Sequence, residues 1–183
     1  MTDQRLISDI QEFAAKQGED ASPYATGVPG LSVLCDHAPS AFEAMIYDPV
    51  VCLVLQGSKE TRVGGRNVRF GAGDSLIVSH SLPVVASITE ASPDKPYVAM
   101  ILAVDLGIAR SLYDDIGDVS PDAGDGQSLD ASKTAPELID AFGRLFRASR
   151  DVAEAEALAP LIIREIHFRL LQADQGAMLR QML

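Results

Sequence analysis

The first part of the chain has the apolar spacing of a short amphipathic helix. Leu6, Ile10, Phe13 and Ala14 recur at intervals of three and four residues, with polar residues between them. This spacing places apolar side chains on one helical face, and Gly18 is a natural stop. The pattern therefore predicts a helix over residues 3–17.

From Gly18 to about residue 104 the pattern changes to short apolar runs separated by turn residues. Turns rich in Gly, Pro, Asp and Asn recur at short intervals, which is typical of an antiparallel barrel or double-sheet sandwich. We expect eight strands, in the segments GLSVLCD, EAMIY, VVCLVLQG, KETRVGG, NVRFGAGD, SLIVSH, VVASITE and YVAMILAVD.

Two glycine-containing turns limit the number of folds that fit the sequence. Gly64 and Gly65 lie between two alternating segments and predict a tight hairpin, because both can adopt positive φ without a Cβ penalty. The next corner, Gly71 to Asp74, leads into an apolar strand and is similar to a corner of cupin barrels. The resemblance implies an α+β protein with a cupin-like β-barrel (a double-stranded β-helix).

The region after the barrel is acidic and then helical. Seven aspartates fall between positions 105 and 130, and we expect an exposed acidic loop between Gly117 and Ser132. Thr134 to Glu137 has the sequence of a capping box, which opens a helix with apolar positions at 138, 139, 142, 145 and 146. The expected divisions are an N-terminal helix (1–19), the barrel (20–106), an acidic connecting segment (107–133) and an antiparallel helix pair (134–183).

The last long helix carries more apolar surface than one barrel needs. We expect Leu158, Leu161, Ile162 and Ile166 to face the barrel. The remaining apolar positions predict a homodimer interface within about 155–172, composed of Ile163, Phe168, Leu170 and Leu171. The alternative is that this surplus packs under the barrel of a monomer.

Charge and composition exclude several partners. The net charge of -11 opposes binding to a phosphate backbone, so these residues are not expected to bind DNA themselves. No apolar run is long enough to span a bilayer and no signal peptide is recognisable, which predicts a cytoplasmic protein without membrane contact. Cys35 and Cys52 lie in apolar segments and are interpreted as reduced buried residues rather than redox or metal groups.

The residues do not favour catalysis. The three histidines, His37, His80 and His167, are dispersed and form no HxH pair, so we predict no metal, no cofactor and no enzymatic activity. The alternative is a metal-dependent cupin enzyme, a dioxygenase or an isomerase. His80 is either a polar contact for a ligand at the barrel mouth or a partly exposed residue at a strand end.

Alternation along the strands predicts a mostly apolar ligand pocket inside the barrel. An error of one residue in register would turn any strand's set outward. The candidate lining residues are Met45, Tyr47, Cys52, Val54, His80, Pro83, Met100 and Leu102.

Several segments together resemble the N-terminal domain of AraC-type transcriptional regulators. They are VCLVLQGSKETRVGG, GDSLIVSHSLPVVASITEASPDKPYVAMILAVD, LAPLIIREIHFRLL and GAMLRQM, within about 24–182. The resemblance implies a domain that senses an unknown small-molecule effector or mediates dimerisation, followed by helix-turn-helix units that bind DNA. Those units are missing here, so we expect a piece of a longer protein, and the alternative is a stand-alone module.

Overall fold

The structure is a computed structural model that describes residues 4–18, 22–116, 129–173 and 176–183. Its described part contains five helices and ten strands. The helices are α1 (Gln4–Ala15), α2 (Leu106–Ile116), α3 (Pro136–Ala148), α4 (Val152–Gln172) and α5 (Gly176–Arg180). The strands are β1 (Tyr24–Ala25), β2 (Leu31–Asp36), β3 (Glu43–Tyr47), β4 (Val50–Gln56), β5 (Ser58–Val63), β6 (Arg66–Gly71), β7 (Asp74–Val78), β8 (Leu82–Glu90), β9 (Tyr97–Ala103) and β10 (Leu129–Lys133).

The strands form two antiparallel sheets that face each other. The larger sheet has the order β1-β2-β9-β4-β7-β10, and the smaller has the order β3-β8-β5-β6. The Gly64–Gly65 turn joins β5 to β6 with Val63 opposite Arg66, as the hairpin pattern predicts. The predicted α+β class with a cupin-like barrel is confirmed.

Alternation along the larger sheet divides the apolar residues between two cores. Cys52 and Val54 of β4 point between the sheets, where they meet Phe70 and Val84 of the smaller sheet. The intervening β4 residues, such as Leu53, point to the opposite face and pack against the helices. The larger sheet is therefore covered on both faces.

The described helices pack against the larger sheet. The apolar face of α1 predicted from sequence is buried at Leu6, Ile10, Phe13 and Ala14. The ring of Phe13 meets that of Phe146 from α3 edge to face, with centroids 5.8 Å apart. Within the described ranges, no helix is long and apolar enough to cross a membrane.

Both described ends of the predicted acidic connecting segment form regular secondary structure. Leu106–Ile116 is helical, and Leu129–Lys133 is a strand paired with β7, so these parts of the predicted acidic connecting segment are not loop. Residues 117–128, the middle of that segment, lie outside the described residues. The predicted capping box does not form, because Ala135 is the N-cap of α3 and the Thr134 hydroxyl has no hydrogen-bond partner in the described chain.

His167 joins α4 to the start of α2. Its Nε2 accepts a hydrogen bond from the backbone N–H of Asp105 at 2.8 Å, and its Nδ1 lies 2.7 Å from the carbonyl oxygen of Ile163. This pair of partners requires a neutral ring with the proton on Nδ1, since a carbonyl can only accept. Burial lowers the pKa of His167 below its ordinary 6.5.

We expect acid to destabilise the fold through this histidine. Because the folded pKa is depressed, the unfolded state binds the proton more readily, so stability falls as the pH drops below about 6.5, by at most about 1.4 kcal/mol per pH unit. Urea denaturation between pH 7.5 and 5 would measure this loss. The loss should shrink in His167→Gln, and an unchanged pH dependence in that variant would contradict the assignment.

Candidate functional site

A cavity of about 180 Å³ lies at one end of the space between the two sheets. We call it the barrel pocket. It is mainly apolar, with one lysine and one aspartate in its wall. Its lining residues are Ile46, Tyr47, Asp48, Val50, Cys52, Lys59, Phe70, Leu76 and Ile101.

Strand register brings this wall together. Cys52 of β4 pairs with Leu76 of β7 on one side and with Ile101 of β9 on the other. Directly paired residues point to the same face of a sheet, so the three form one continuous wall. Opposite them, Lys59 of β5 pairs with Phe70 of β6 and shares its inward direction.

The positive charge of Lys59 is only weakly balanced by neighbouring groups. Its Nζ lies 5.5 Å from the centre of the Tyr47 ring, and the Tyr47 hydroxyl is 3.2 Å from Oγ1 of the buried Thr61. Among the described residues, no carboxylate lies within ion-pair distance of the Lys59 ammonium. The pocket wall therefore offers a hydrogen-bond donor with a positive charge.

Tyr97 extends into the core beside the pocket. Its hydroxyl is buried next to the Cys52 thiol and makes no hydrogen bond of normal geometry within the described chain. Burial raises the pKa of Tyr97 well above its usual value, and burial also raises the pKa of Cys52. Both groups are therefore protonated at neutral pH, with the Cys52 sulfur as the neighbour of the phenol.

Asp36, on β2, carries a charge that interacts with Lys59. It pairs with Tyr97 across β2 and β9, and its Oδ2 is buried without a hydrogen-bond partner in the described residues. Burial raises the pKa of Asp36, while the charge of Lys59 acts in the opposite direction. Lys59 and Asp36 thus influence each other through the core without forming a direct pair.

Half of the predicted ligand-lining residues face the space between the sheets. Tyr47 and Cys52 line the barrel pocket, whereas Met45 and Val54 pack in the surrounding core. His80 is exposed, with its Nδ1 3.1 Å from the Ser79 hydroxyl. Pro83 is exposed and borders a separate groove lined by residues of β3, β5 and β8.

Met100 and Leu102 were assigned to the wrong face. Both are buried against the helices, and the residues of β9 that face the other sheet are Tyr97, Ala99 and Ile101. The error arises because β9 is apolar on both faces, so alternation cannot fix its register. The prediction missed Lys59, Phe70, Leu76 and Ile101.

The residues predicted to form the dimer interface are partly buried and partly exposed. Leu170 and Leu171 are buried in the chain's own core, so they cannot form an exposed interface as predicted. Ile163 is half-buried beside a groove between α2 and α4, and Phe168 is 39% exposed. Leu158 and Leu161, which were expected to face the barrel, are 44% and 67% exposed.

The described residues contain no cluster of three or more His, Cys, Asp or Glu side chains arranged to hold a metal ion. Of the three histidines, His167 is engaged with the backbone in the helical layer, while His37 approaches Cys35 Sγ at 3.9 Å. Burial raises the pKa of Cys35, as it does for Cys52. The absence of bound metal therefore stays a prediction.

The family is identified by sequence comparison. The model of the AraC-type transcriptional regulator N-terminus matches residues 27–178, which is most of the chain. The chain therefore belongs to this family of transcriptional regulators, as its sequence segments indicated. Comparison with curated protein sequences finds no match.

Solved structures agree with the fold. ToxT from Vibrio cholerae in its apo K231A form is similar over 81% of this chain and 58% of its own, with a TM-score of 0.55 and 9% identity. ToxT bound to an unsaturated fatty acid gives a TM-score of 0.52 at 11% identity, covering 81% of this chain and 54% of that one. ToxT bound to (E)-4-(8-methylnaphthalen-1-yl)but-3-enoic acid gives 0.52 at 12% identity, covering 79% and 57%. The chain thus spans less than two thirds of the length of these proteins.

Proposed function

We propose that this chain is the ligand-sensing and dimerisation region of an AraC-type regulator, with a small-molecule effector held in the barrel pocket. The observation that carries the proposal is the cavity between the sheets, whose apolar wall includes Lys59, a residue with no ion pair in the described part of the chain. Ligand sites typically combine apolar walls with a few convergent polar groups. The ToxT structures with a fatty acid and a butenoic acid support a ligand role for this domain type.

The regulatory role requires the pocket to communicate with other parts of the regulator. The β4 strand has Cys52 in the pocket wall and its neighbours Val51 and Leu53 in the helix-covered core. A ligand that displaces β4 therefore changes the packing under the helices. Coupling between two sites is typically about 1–3 kcal/mol.

The dimer interface in this proposal is the exposed apolar stripe of α4, formed by Leu158, Leu161 and Phe168. These residues repeat at intervals of three and seven, the spacing of a helix that packs along a second helix. A two-fold axis would pair the stripe with its own copy. DNA would then be contacted by helix-turn-helix units outside these residues, and we infer that this chain itself catalyses no reaction.

Filling the barrel pocket should abolish ligand binding without unfolding the protein. Ile101 is half-buried and lines the pocket, so Ile101→Trp adds bulk where there is free volume. We expect small organic acids or their neutral analogues that stabilise the wild type in a thermal-shift screen to lose that effect in the folded variant.

Ile163→Trp, beside the groove between α2 and α4, provides the matched control. It should leave the ligand-induced shift unchanged. A shift that persists in Ile101→Trp but disappears in Ile163→Trp would place the ligand in that other groove and contradict the proposal.

A further inference from the structure

We infer that the smaller sheet carries a docking surface for an acidic amphipathic helix of another protein. We call this surface the outer face, and its residues are Phe42, Ala44, Ile46, Arg62, Pro83 and Val85. It is separate from the barrel pocket and from the exposed stripe of α4, and it does not depend on the proposed function. Three features define it: an apolar block on two strands, an oriented arginine and a basic hairpin.

Strand alternation places the apolar block on the outer face. Met45 of β3 and its pair Val84 of β8 pack in the core between the sheets. The adjoining pairs point the opposite way, since side chains alternate along a strand and paired residues share a face. These pairs are Ala44–Val85 and Ile46–Pro83. The four side chains therefore form one block over two adjacent strands.

This block is open to solvent in the described chain. Ile46 is 71% exposed and Val85 is 36% exposed, and both Ala44 and Pro83 are exposed as well. Phe42, just before β3, is 40% exposed and extends the apolar surface. Single exposed apolar residues need no explanation, but residues that adjoin one another in this way are typical of an interaction site.

The shape of the block favours a helix as the occupant. Adjacent strands lie about 4.8 Å apart, so two strands present an apolar band roughly 10 Å wide. An α-helix with its side chains is about 10–12 Å in diameter. The block also lines a groove of about 550 Å³, whose wall includes Arg62 and the Gly64–Gly65 turn. A helix with an apolar stripe on one side fits this band.

Arg62 offers the outer face a partner for a carboxylate. It pairs with Val85 across β5 and β8, so its side chain leaves the sheet on the same face. Its guanidinium carbon lies 3.7 Å from the centre of the Phe42 ring, and its Nε donates to Glu60 at 3.1 Å. These contacts orient the planar group while the side chain remains 48% exposed. An oriented guanidinium binds a carboxylate with defined geometry.

The β5–β6 hairpin makes this side of the molecule basic. Residues 58–71 include four basic residues and one acidic residue, a net charge of +3 in a chain of net charge -11. Lys59 lines the barrel pocket, whereas Arg62, Arg66 and Arg69 are exposed. Charges are screened beyond about 8 Å at physiological ionic strength, so a partner at the outer face experiences mainly the local positive charge. The face therefore favours an acidic partner.

The acids at the two ends of β3 belong to the other side of the strand. Glu43 pairs with Ala86, two residues from Val84, so its side chain leaves the sheet on the side of the core. Asp48 lines the barrel pocket and accepts a hydrogen bond from Ser81 at 2.9 Å. Neither acid neutralises the outer face.

An anionic bilayer fits this surface less well than a helix. Outside residues 58–71 the chain has a net charge of -14, which is -11 less the +3 of the hairpin. A bilayer is wide and flat, so it would meet this acidic surface as well as the basic hairpin. A helix is narrow enough to contact the outer face alone.

Three labelled peptides test the outer face. The first is a blocked helix of about 18 residues, with leucines spaced three and four apart on one side and glutamates beside them. The second has glutamine in place of each glutamate, and the third has alanine in place of each leucine. We expect the first to bind the full chain with a Kd on the order of 100 µM, because the contact is small, and the others at least about tenfold more weakly. Fluorescence anisotropy measures all three.

Two substitutions should weaken the glutamate peptide at least about tenfold, and each has a matched control. Arg62→Glu removes the cation, whereas Arg110→Glu changes the net charge equally at an exposed site on α2 and should leave binding intact. Ile46→Ser removes the most exposed apolar side chain of the block, and Val152→Ser, at a 76% exposed position of α4, should have no effect.

The alternative occupants give different results. Equal binding of the glutamate and glutamine peptides would overturn the requirement for an acidic partner. Binding to phosphatidylserine vesicles, or self-association, that Ile46→Ser removes while no peptide binds would assign the face to a membrane or to a second copy instead. If none of the peptides binds at millimolar concentration, the inference is wrong.

Discussion

Replacing Gly57 with alanine is expected to lower the free energy of unfolding by about 3–5 kcal/mol, a large part of the stability of an ordinary domain. Gly57 connects β4 to β5 and has φ of +79°, where an L side chain is strained. A Cβ there would also lie 2.4 Å from the carbonyl oxygen of Glu90 and 3.0 Å from Cα of Tyr97. Both contacts are with backbone, which cannot rotate away.

Gly65→Ala is the matched control for this effect. Gly65 has the same φ of +79°, but a Cβ would meet nothing within 4 Å. Its cost should therefore be the conformational strain alone, about 1–2 kcal/mol. Chemical denaturation of both variants measures the difference, and equal losses would show that the close approach at Gly57 is not the cause.

The second large effect is expected at the proposed dimer interface. Replacing both Leu158 and Leu161 with glutamate should convert a dimer to a folded monomer, because it places charge on the exposed apolar stripe of α4. A loss of about 2 kcal/mol in each of two copies weakens association by roughly 1,000-fold. Sedimentation velocity over a range of protein concentrations measures this change.

Val152→Glu provides the control on the same helix. Val152 is 76% exposed but lies on a different side of α4 from the stripe, so this change should leave association intact. A wild-type chain that is already monomeric at high micromolar concentration would contradict the interface. A double variant that remains dimeric would do so as well.

The sequence predicted the barrel well because its turns carry local signals. The Gly64–Gly65 hairpin has its predicted position, and alternation correctly turned Tyr47 and Cys52 inward. For β9, both faces are covered, so Met100 and Ile101 are equally apolar in sequence although they face opposite cores. Only the tertiary cover of the helices distinguishes them.

The buried face of α4 was predicted only in part, for a related reason. On α4, Ile162 and Ile166 are buried as expected. Leu158 and Leu161, expected on the same face, are exposed, and Ala159 lies on the buried side. A helix with apolar residues around much of its circumference has no single preferred face. The packing of α2, α3 and α5 around α4 determines which side is covered.

The central residue of the site could have been found from the hairpin register. A two-residue turn at Gly64–Gly65 requires Lys59 to lie opposite Phe70 and Thr61 opposite Val68. Since Phe70 and Val68 are the apolar members of β6, Lys59 and Thr61 must share the inward face. The hairpin register thus identifies Lys59 as a polar residue of the pocket wall.

The most direct measurement is a nuclear magnetic resonance titration of isotope-labelled protein with benzoate, hexanoate, benzamide and hexanamide, assigned residue by residue. We predict that binding perturbs signals clustered around the barrel pocket, at Cys52, Lys59 and Ile101. Perturbations concentrated at the groove between α2 and α4, or no perturbation by any of the four compounds at millimolar concentration, would contradict an effector site between the sheets.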